Sequence, residues 1–174
     1  MSAPISGDFL TFRLAAAEVA LPLGVVREVL DRPRVVPVPD SHAHVAGVTL
    51  AHGLAVPVYD LCRFEPLWTT PPPAEGPAAP SLIVCAWGEV LIGLLGREVD
   101  VIDRRAVREV PEPEIAQEGA ETPFRSGYAR RVAHDGRGQV MVLDAARLFA
   151  SLGVPDPRVR EAGEEDGEEN PAGR

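Results

Sequence analysis

Apolar and polar residues alternate along much of the chain, and this alternation predicts short β-strands. In "FLTFRL", Leu10, Phe12 and Leu14 are separated by single polar residues, which is the period of a half-buried strand. "VALPL" has the same spacing a few residues later, so the two segments predict a β-hairpin. In "GVVREVLD", residues 24–31, the apolar positions instead have helical spacing, and we predict a short helix of about two turns there.

The pattern of the first half recurs in the second half. "AVPVYDLCR" is similar to "QVMVLDAAR", and this comparison aligns Asp60 with Asp144. Between the halves, residues 69–80 are rich in proline, which predicts an extended connector. Two related β units are the simplest prediction, and small antiparallel sheets of about five strands tend to close into barrels. We therefore predict a mainly all-β fold of two five-stranded β-barrel subdomains with short helices, within a domain at residues 8–155.

The formal net charge of −9 is unevenly distributed along the chain. Residues 156–174 are rich in glutamate and poor in apolar residues, which predicts a disordered acidic tail. The remainder is only mildly acidic, whereas a nucleic-acid-binding surface needs a basic stripe. No apolar run approaches the roughly 20 residues that span a bilayer, and no signal peptide is apparent. We expect a cytoplasmic protein without nucleic-acid binding or direct membrane insertion, with Cys62 and Cys85 as reduced core residues.

Candidate catalytic and metal-binding residues are few, and each has a structural interpretation. Asp60 and Asp144 are candidates for an acid/base pair, but each stands where a strand meets a short helix and is expected to cap it. His42 and His44 in "DSHAH" are candidate metal ligands, yet no third ligand has a convincing spacing. No serine lies in a nucleophile elbow, and no glycine-rich phosphate loop is present. The sequence predicts a binding module without turnover and without a tightly bound cofactor.

Three stretches resemble the CheW-like coupling proteins of bacterial chemotaxis: "FLTFRL", "VVREV" and "VAGVTLAHGLAVPVYDL". "EVLIGLLGREVDVI" and "GQVMVLDAARLF" are similar to the second half of that family, so the resemblance covers about residues 8–153. It implies a fold of two intertwined five-stranded β-barrels with no catalytic site. It also implies a scaffold between the cytoplasmic tip of chemoreceptors and the regulatory domain of the histidine kinase CheA.

The resemblance also indicates which residues contact partners. "VVREV" matches a family helix associated with partner contact, and two glycines of "VAGVTLAHG" match the motif glycines. Where the family usually reads Asn-Leu-Arg-Gly, this chain has "LAHG", so a histidine replaces a permanently charged arginine. The residues predicted to bind partners are Val26, Glu28, Val29, Gly47, Leu50, Ala51, His52 and Gly53.

Two further interpretations of the sequence stay open. In the first, the chain is a divergent scaffold of the same family that binds a different motility or cell-polarity protein, which the altered "LAH" triplet favours. In the second, it is a metal-dependent hydrolase that uses "DSHAH" at residues 40–44 together with a carboxylate.

Overall fold

The computed structural model describes residues 8–14, 17–63, 80–103, 108–109, 129–134 and 139–154. Most of the connector predicted at 69–80 and the whole tail predicted at 156–174 lie outside these residues. The strands are β1 Phe9–Leu14, β2 Ala17–Pro22, β3 Val26–Asp31, β4 Val45–Ala51, β5 Leu54–Tyr59, β6 Ser81–Trp87, β7 Val90–Ile102, β8 Arg108–Glu109, β9 Ala129–His134 and β10 Gln139–Leu143. An α-helix, α1, spans Ala145–Ser151, and 3-10 turns span Leu23–Val25 and Leu61–Arg63.

The long strand β7 joins two groups of strands into one continuous sheet. Its 13 residues pair first with β6 and β5, and then with β1. The first group has the order β3-β6-β7-β5-β4, and the second has the order β7-β1-β2-β10-β9-β8. The prediction of a mainly all-β fold is confirmed. The described strands nevertheless form an open sheet and not two closed barrels, because β3 and β4, the outer strands of the first group, do not pair with each other.

The prediction of a short helix at residues 24–31 is wrong, because Val26–Asp31 form strand β3 and the two residues before them belong to a 3-10 turn. β3 pairs antiparallel with β6, with Leu30 opposite Leu82. Glu28 and Leu30 are half-buried while their neighbours are exposed, which is the alternation of a strand. The apolar spacing fits a helix locally, but valine favours a pleated surface and the pairing with β6 decides the outcome.

The main hydrophobic core lies between the two strand groups and includes side chains from both. Phe12 and Leu21 from the second group pack in the same cluster as Ile83 and Leu94 from the first. Cys85 is also buried there, and its burial raises the pKa of the thiol to about 12. Cys62 and Cys85 are not joined by a disulfide bond, as expected for reduced cysteines.

Helix α1 completes this core at the end of the described chain. Asp144 caps the helix, since its Oδ1 accepts a hydrogen bond from the backbone N–H of Arg147 at 3.2 Å. Leu148 and Phe149 are buried against the sheet. The Phe149 ring meets Trp87 of β6 edge to face, with 5.4 Å between ring centroids. The prediction that Asp144 caps the helix is confirmed. Helix α1 follows the second strand group in sequence, and its Phe149 contacts the first strand group.

Candidate functional site

The β4–β5 hairpin ends in a two-residue turn at His52 and Gly53. Ala51 pairs with Leu54 on either side of it. The φ angles of His52 and Gly53 are 51° and 76°, and positive φ at both central residues is the requirement of a type I′ turn. Glycine adopts this conformation without strain, and histidine is among the other residues that tolerate it best. This turn leaves the side chain of His52 about half exposed.

His52 contacts Glu28 across the gap between β3 and the hairpin. The distance from His52 Nε2 to Glu28 Oε1 is 2.9 Å, and the two side chains are 49% and 29% exposed. We use the term open side for the region bounded by β3, by residues 32–44 that follow it, and by the β4–β5 hairpin. Two residues that the sequence resemblance singles out are thus in direct contact on the open side.

Gly47 allows the segment after β3 to lie directly against β4. The backbones of Val36 and Val48 exchange two hydrogen bonds of 2.8 Å each. A Cβ atom at Gly47 would overlap the carbonyl oxygen of Val36, and the φ of +150° is itself unfavourable for other residues. The hydroxyl of Thr49 donates to the carbonyl of Arg34 at 2.9 Å. Gly47 therefore shapes the open side and offers no side chain to a partner.

An apolar groove of about 740 Å³ lies on the open side. Leu50 projects into it with 74% of its surface exposed, beside Val36 at 57% and Val38 at 41%. We call it the open-side groove; it is lined by Leu30, Asp31, Pro33, Arg34, Val36, Val38, Val48, Thr49, Leu50 and Ala55. Aliphatic side chains this exposed and this close together are typical of a surface that another protein covers.

The other predicted partner-binding residues have less direct access to a partner. Ala51 is 5% exposed and packs inward with Val56 and Val58. Val26 is half-buried against the main core. Val29 is 37% exposed and points away from Glu28, because strand residues alternate between faces. The structure brings Glu28, Leu50 and His52 together on the open side, and Gly47 and Gly53 shape it.

Val36 and Val38 are members of the groove that the sequence reasoning missed. They lie among prolines at 33, 37 and 39, and the sequence of this stretch predicts only an extended segment. The sequence signal that could have identified them is the pair of valines in a segment that proline keeps out of regular strands, because no strand pairing there would bury them. The contact with β4 that turns them into a groove wall involves residues 12 positions apart, Val36 and Val48.

His42 and His44 stack on each other and do not converge as metal ligands. Their ring centroids are 5.5 Å apart with a 4° interplanar angle, and His44 also stacks on Tyr59. Burial and the nearby His42 lower the pKa of His44. The lone pairs of imidazole lie in the ring plane, so two stacked rings do not point at one ion. Within the described ranges, no group of three or more His, Cys, Asp or Glu side chains is placed to hold a metal ion, and the hydrolase interpretation gains no support.

Asp60 and Asp144 act as caps in different strand groups. Asp60 Oδ1 accepts from the backbone N–H of Cys62 at 3.0 Å, and its Oδ2 lies 3.0 Å from Nε of Arg63. Asp60 follows β5, whereas Asp144 follows β10. The capping prediction holds for both carboxylates, and each has a local structural role.

Comparisons with known proteins agree with this fold. The sequence matches the family model described as CheW-like domain over residues 8–153. Fifteen chains of solved structures match. One is the crystal structure of the scaffolding protein TtCheW from Thermoanaerobacter tengcongensis, with 17% sequence identity and a TM-score of 0.61. The match covers 84% of this chain and 90% of that one, and at this identity it supports the fold alone.

A comparison with curated proteins finds no match. In the part of the chain that the structure describes, no helix has the length and apolar character needed to cross a membrane.

Proposed function

This chain belongs to the CheW-like domain family, and from that membership we propose that it is a non-catalytic adaptor in bacterial chemosensory signalling. It couples the cytoplasmic tip of chemoreceptors to the regulatory domain of a CheA-type histidine kinase. It acts in the cytoplasm and reaches the membrane only through receptor arrays. The observation that carries the proposal is the family match, which extends from residue 8 to residue 153 and so includes nearly all the described residues.

The open side is the surface that we assign to the kinase regulatory domain. Leu50 supplies an exposed aliphatic side chain, and the Glu28–His52 pair supplies polar groups beside it. An apolar centre with a polar rim is the usual composition of a protein interface. Gly47, Ala51 and Gly53 contribute by shaping the hairpin, while Val26 and Val29 belong to the adjoining strand β3.

Coelution tests the proposed coupling directly. The full chain is mixed with the kinase regulatory domain encoded nearest its gene, and separately with a receptor fragment that contains the cytoplasmic hairpin tip. Size-exclusion chromatography should show a complex with each, and a ternary complex when all three are present. If neither protein coelutes with the chain at concentrations of about 50 μM, where a micromolar complex would be well populated, the coupling function is contradicted.

A second candidate is a scaffold of the same family that binds a different motility or cell-polarity protein. The observation that favours it is the "LAH" triplet, which places a 74% exposed leucine and a histidine at the tip of the hairpin. Such a surface is more apolar and carries less permanent charge than a surface with an arginine at the position of His52.

Replacing His52 by arginine separates these two candidates. Glu28 lies 2.9 Å from His52 and offers a carboxylate to the new guanidinium, and Arg32 already adopts the same φ of 51° in this chain. For a coupler of receptors to CheA, we expect the affinity for the kinase regulatory domain to stay the same or rise by up to about fivefold, the scale of a half-exposed ion pair. For a divergent scaffold, the charge would enter an apolar contact and weaken the native complex.

Isothermal titration calorimetry of wild type and His52→Arg against both kinds of partner measures this difference. Glu28→Gln is the matched control, because it removes the carboxylate while it keeps the size of the side chain. An affinity that neither variant changes for any partner would show that the turn is not a recognition site.

A further inference from the structure

Arg34 places a positive charge in the wall of the open-side groove. The groove is otherwise mainly aliphatic, and its charged members are Arg34 and Asp31. We propose that the open-side groove binds a protein segment that presents aliphatic side chains next to a carboxylate, and that Arg34 binds this carboxylate. The inference rests on the proposed function, because it names the chemistry of the partner that the open side receives.

The backbone of Arg34 is held in place against β4. Its carbonyl accepts the hydrogen bond from Thr49 Oγ1 at 2.9 Å. Two residues further on, Val36 is bound to Val48 by two backbone hydrogen bonds of 2.8 Å. A side chain that starts from a fixed backbone loses less conformational freedom when it binds a ligand. The side chain of Arg34 therefore starts from a fixed backbone position in the groove wall and not from a free loop.

The guanidinium of Arg34 is available for a partner. In the part of the chain that the structure describes, Arg13 and Arg63 take part in ion pairs, whereas Arg34 takes part in none. Asp31, the carboxylate that also lines the groove, accepts a hydrogen bond from Ser81 Oγ at 3.0 Å. The groove thus contributes a cation that no described side chain neutralises.

Covering the groove makes a carboxylate on the partner necessary. A partner that buries Leu50, Val36 and Val38 also removes water from around the neighbouring guanidinium. A charge that loses its hydration without gaining an opposite charge is costly. A carboxylate meets the planar donor fork of arginine with two parallel hydrogen bonds. Aliphatic groups and a carboxylate together identify a protein segment, because a free anion would leave the three exposed aliphatic side chains uncovered.

Charge reversal at Arg34 tests this pairing. We expect Arg34→Glu to weaken binding of the kinase regulatory domain by roughly tenfold or more and Arg34→Gln by about threefold, since a buried like-charge contact costs more than a lost pair. The matched control is Arg27→Glu, which makes the same change in net charge at an exposed position of β3 outside the groove. Equal effects of Arg34→Glu and Arg27→Glu would overturn the inference, because they would reflect net charge alone.

A peptide pair tests the inference even if the kinase domain does not bind, an outcome that would contradict the proposed function. One peptide carries leucine and valine around a central glutamate, and the other has glutamine in its place. NMR titration of the full chain should show methyl shifts of Leu50 and Val36, with at least about threefold tighter binding of the glutamate peptide, as expected for a charge-assisted pair. Arg34→Gln should abolish that preference. No methyl shifts, or equal affinity for the two peptides, would overturn the inference.

Discussion

Replacing Gly47 by alanine should lower the free energy of unfolding by about 3 kcal/mol, the combined scale of an overpacked contact and a strained backbone. The new Cβ would overlap the carbonyl oxygen of Val36, which is backbone and is tied to Val48 by two hydrogen bonds. The residue would also have to keep a φ of +150°. The overlap is relieved only if residues 34–36 move off β4, which opens one wall of the groove. Urea denaturation followed by circular dichroism measures the loss.

Two other glycines provide matched controls for this prediction. Gly53 has a φ of +76°, and a Cβ added there would meet no atom within 4 Å, so Gly53→Ala should cost only the backbone strain, about 1–2 kcal/mol. Gly24 has neither a close neighbour nor a positive φ, and Gly24→Ala should leave stability unchanged or raise it by up to about 1 kcal/mol. Equal losses for the variants of Gly47 and Gly24 would contradict the close approach of Val36 to β4.

Truncating Phe149 to alanine should cost about 3–5 kcal/mol, the range for removal of a large buried aromatic side chain. Phe149 is fully buried, and its ring meets Trp87 edge to face. It also lies in the cluster that contains side chains of both strand groups. Because the helix is part of that shared core, we expect the variant to unfold in a single transition, which agrees with the proposal of one domain at residues 8–155. Thermal and urea denaturation both report it.

The control on the same helix is Ser151→Ala. Ser151 is exposed and its hydroxyl donates only to the carbonyl of Arg147 on its own helix. We expect a change within about 0.5 kcal/mol, as for other surface substitutions. A loss below about 1 kcal/mol for Phe149→Ala, far under the usual cost, would mean that α1 does not pack on the sheet in solution.

Local patterns predicted the parts of the fold that depend on neighbours in sequence. The alternation in "FLTFRL" predicted β1, and the aspartate before "AARLFASLG" predicted the cap of α1. The valines of β3 satisfy both periods, so the sequence alone predicts a helix there. The pairing that selects the strand comes from β6, about 50 residues later. Residues distant in sequence decided this element, and no local pattern encodes that pairing.

Some residues of the candidate site were predictable from the sequence, and others were not. The resemblance to the CheW-like family selected both Glu28 and His52, and the structure adds that they are in contact at 2.9 Å. Leu50 was expected at a surface and lies in the open-side groove. Val36, Val38 and Arg34 escaped prediction, because they join the groove only through their backbone contact with β4. The hairpin tip was therefore predictable from the sequence, and the opposite wall of the groove was not.

Titration of wild type and Leu50→Asp against the kinase regulatory domain tests the central claim most directly. Leu50 is 74% exposed, so the substitution should leave the melting temperature unchanged and act on binding alone. We predict saturable binding of wild type with one partner per chain, and an affinity reduced by roughly tenfold or more in Leu50→Asp, as for a residue near the centre of an interface. Equal binding of the two proteins, or no binding of the wild type, would contradict the claim that this chain couples to a kinase through its open side.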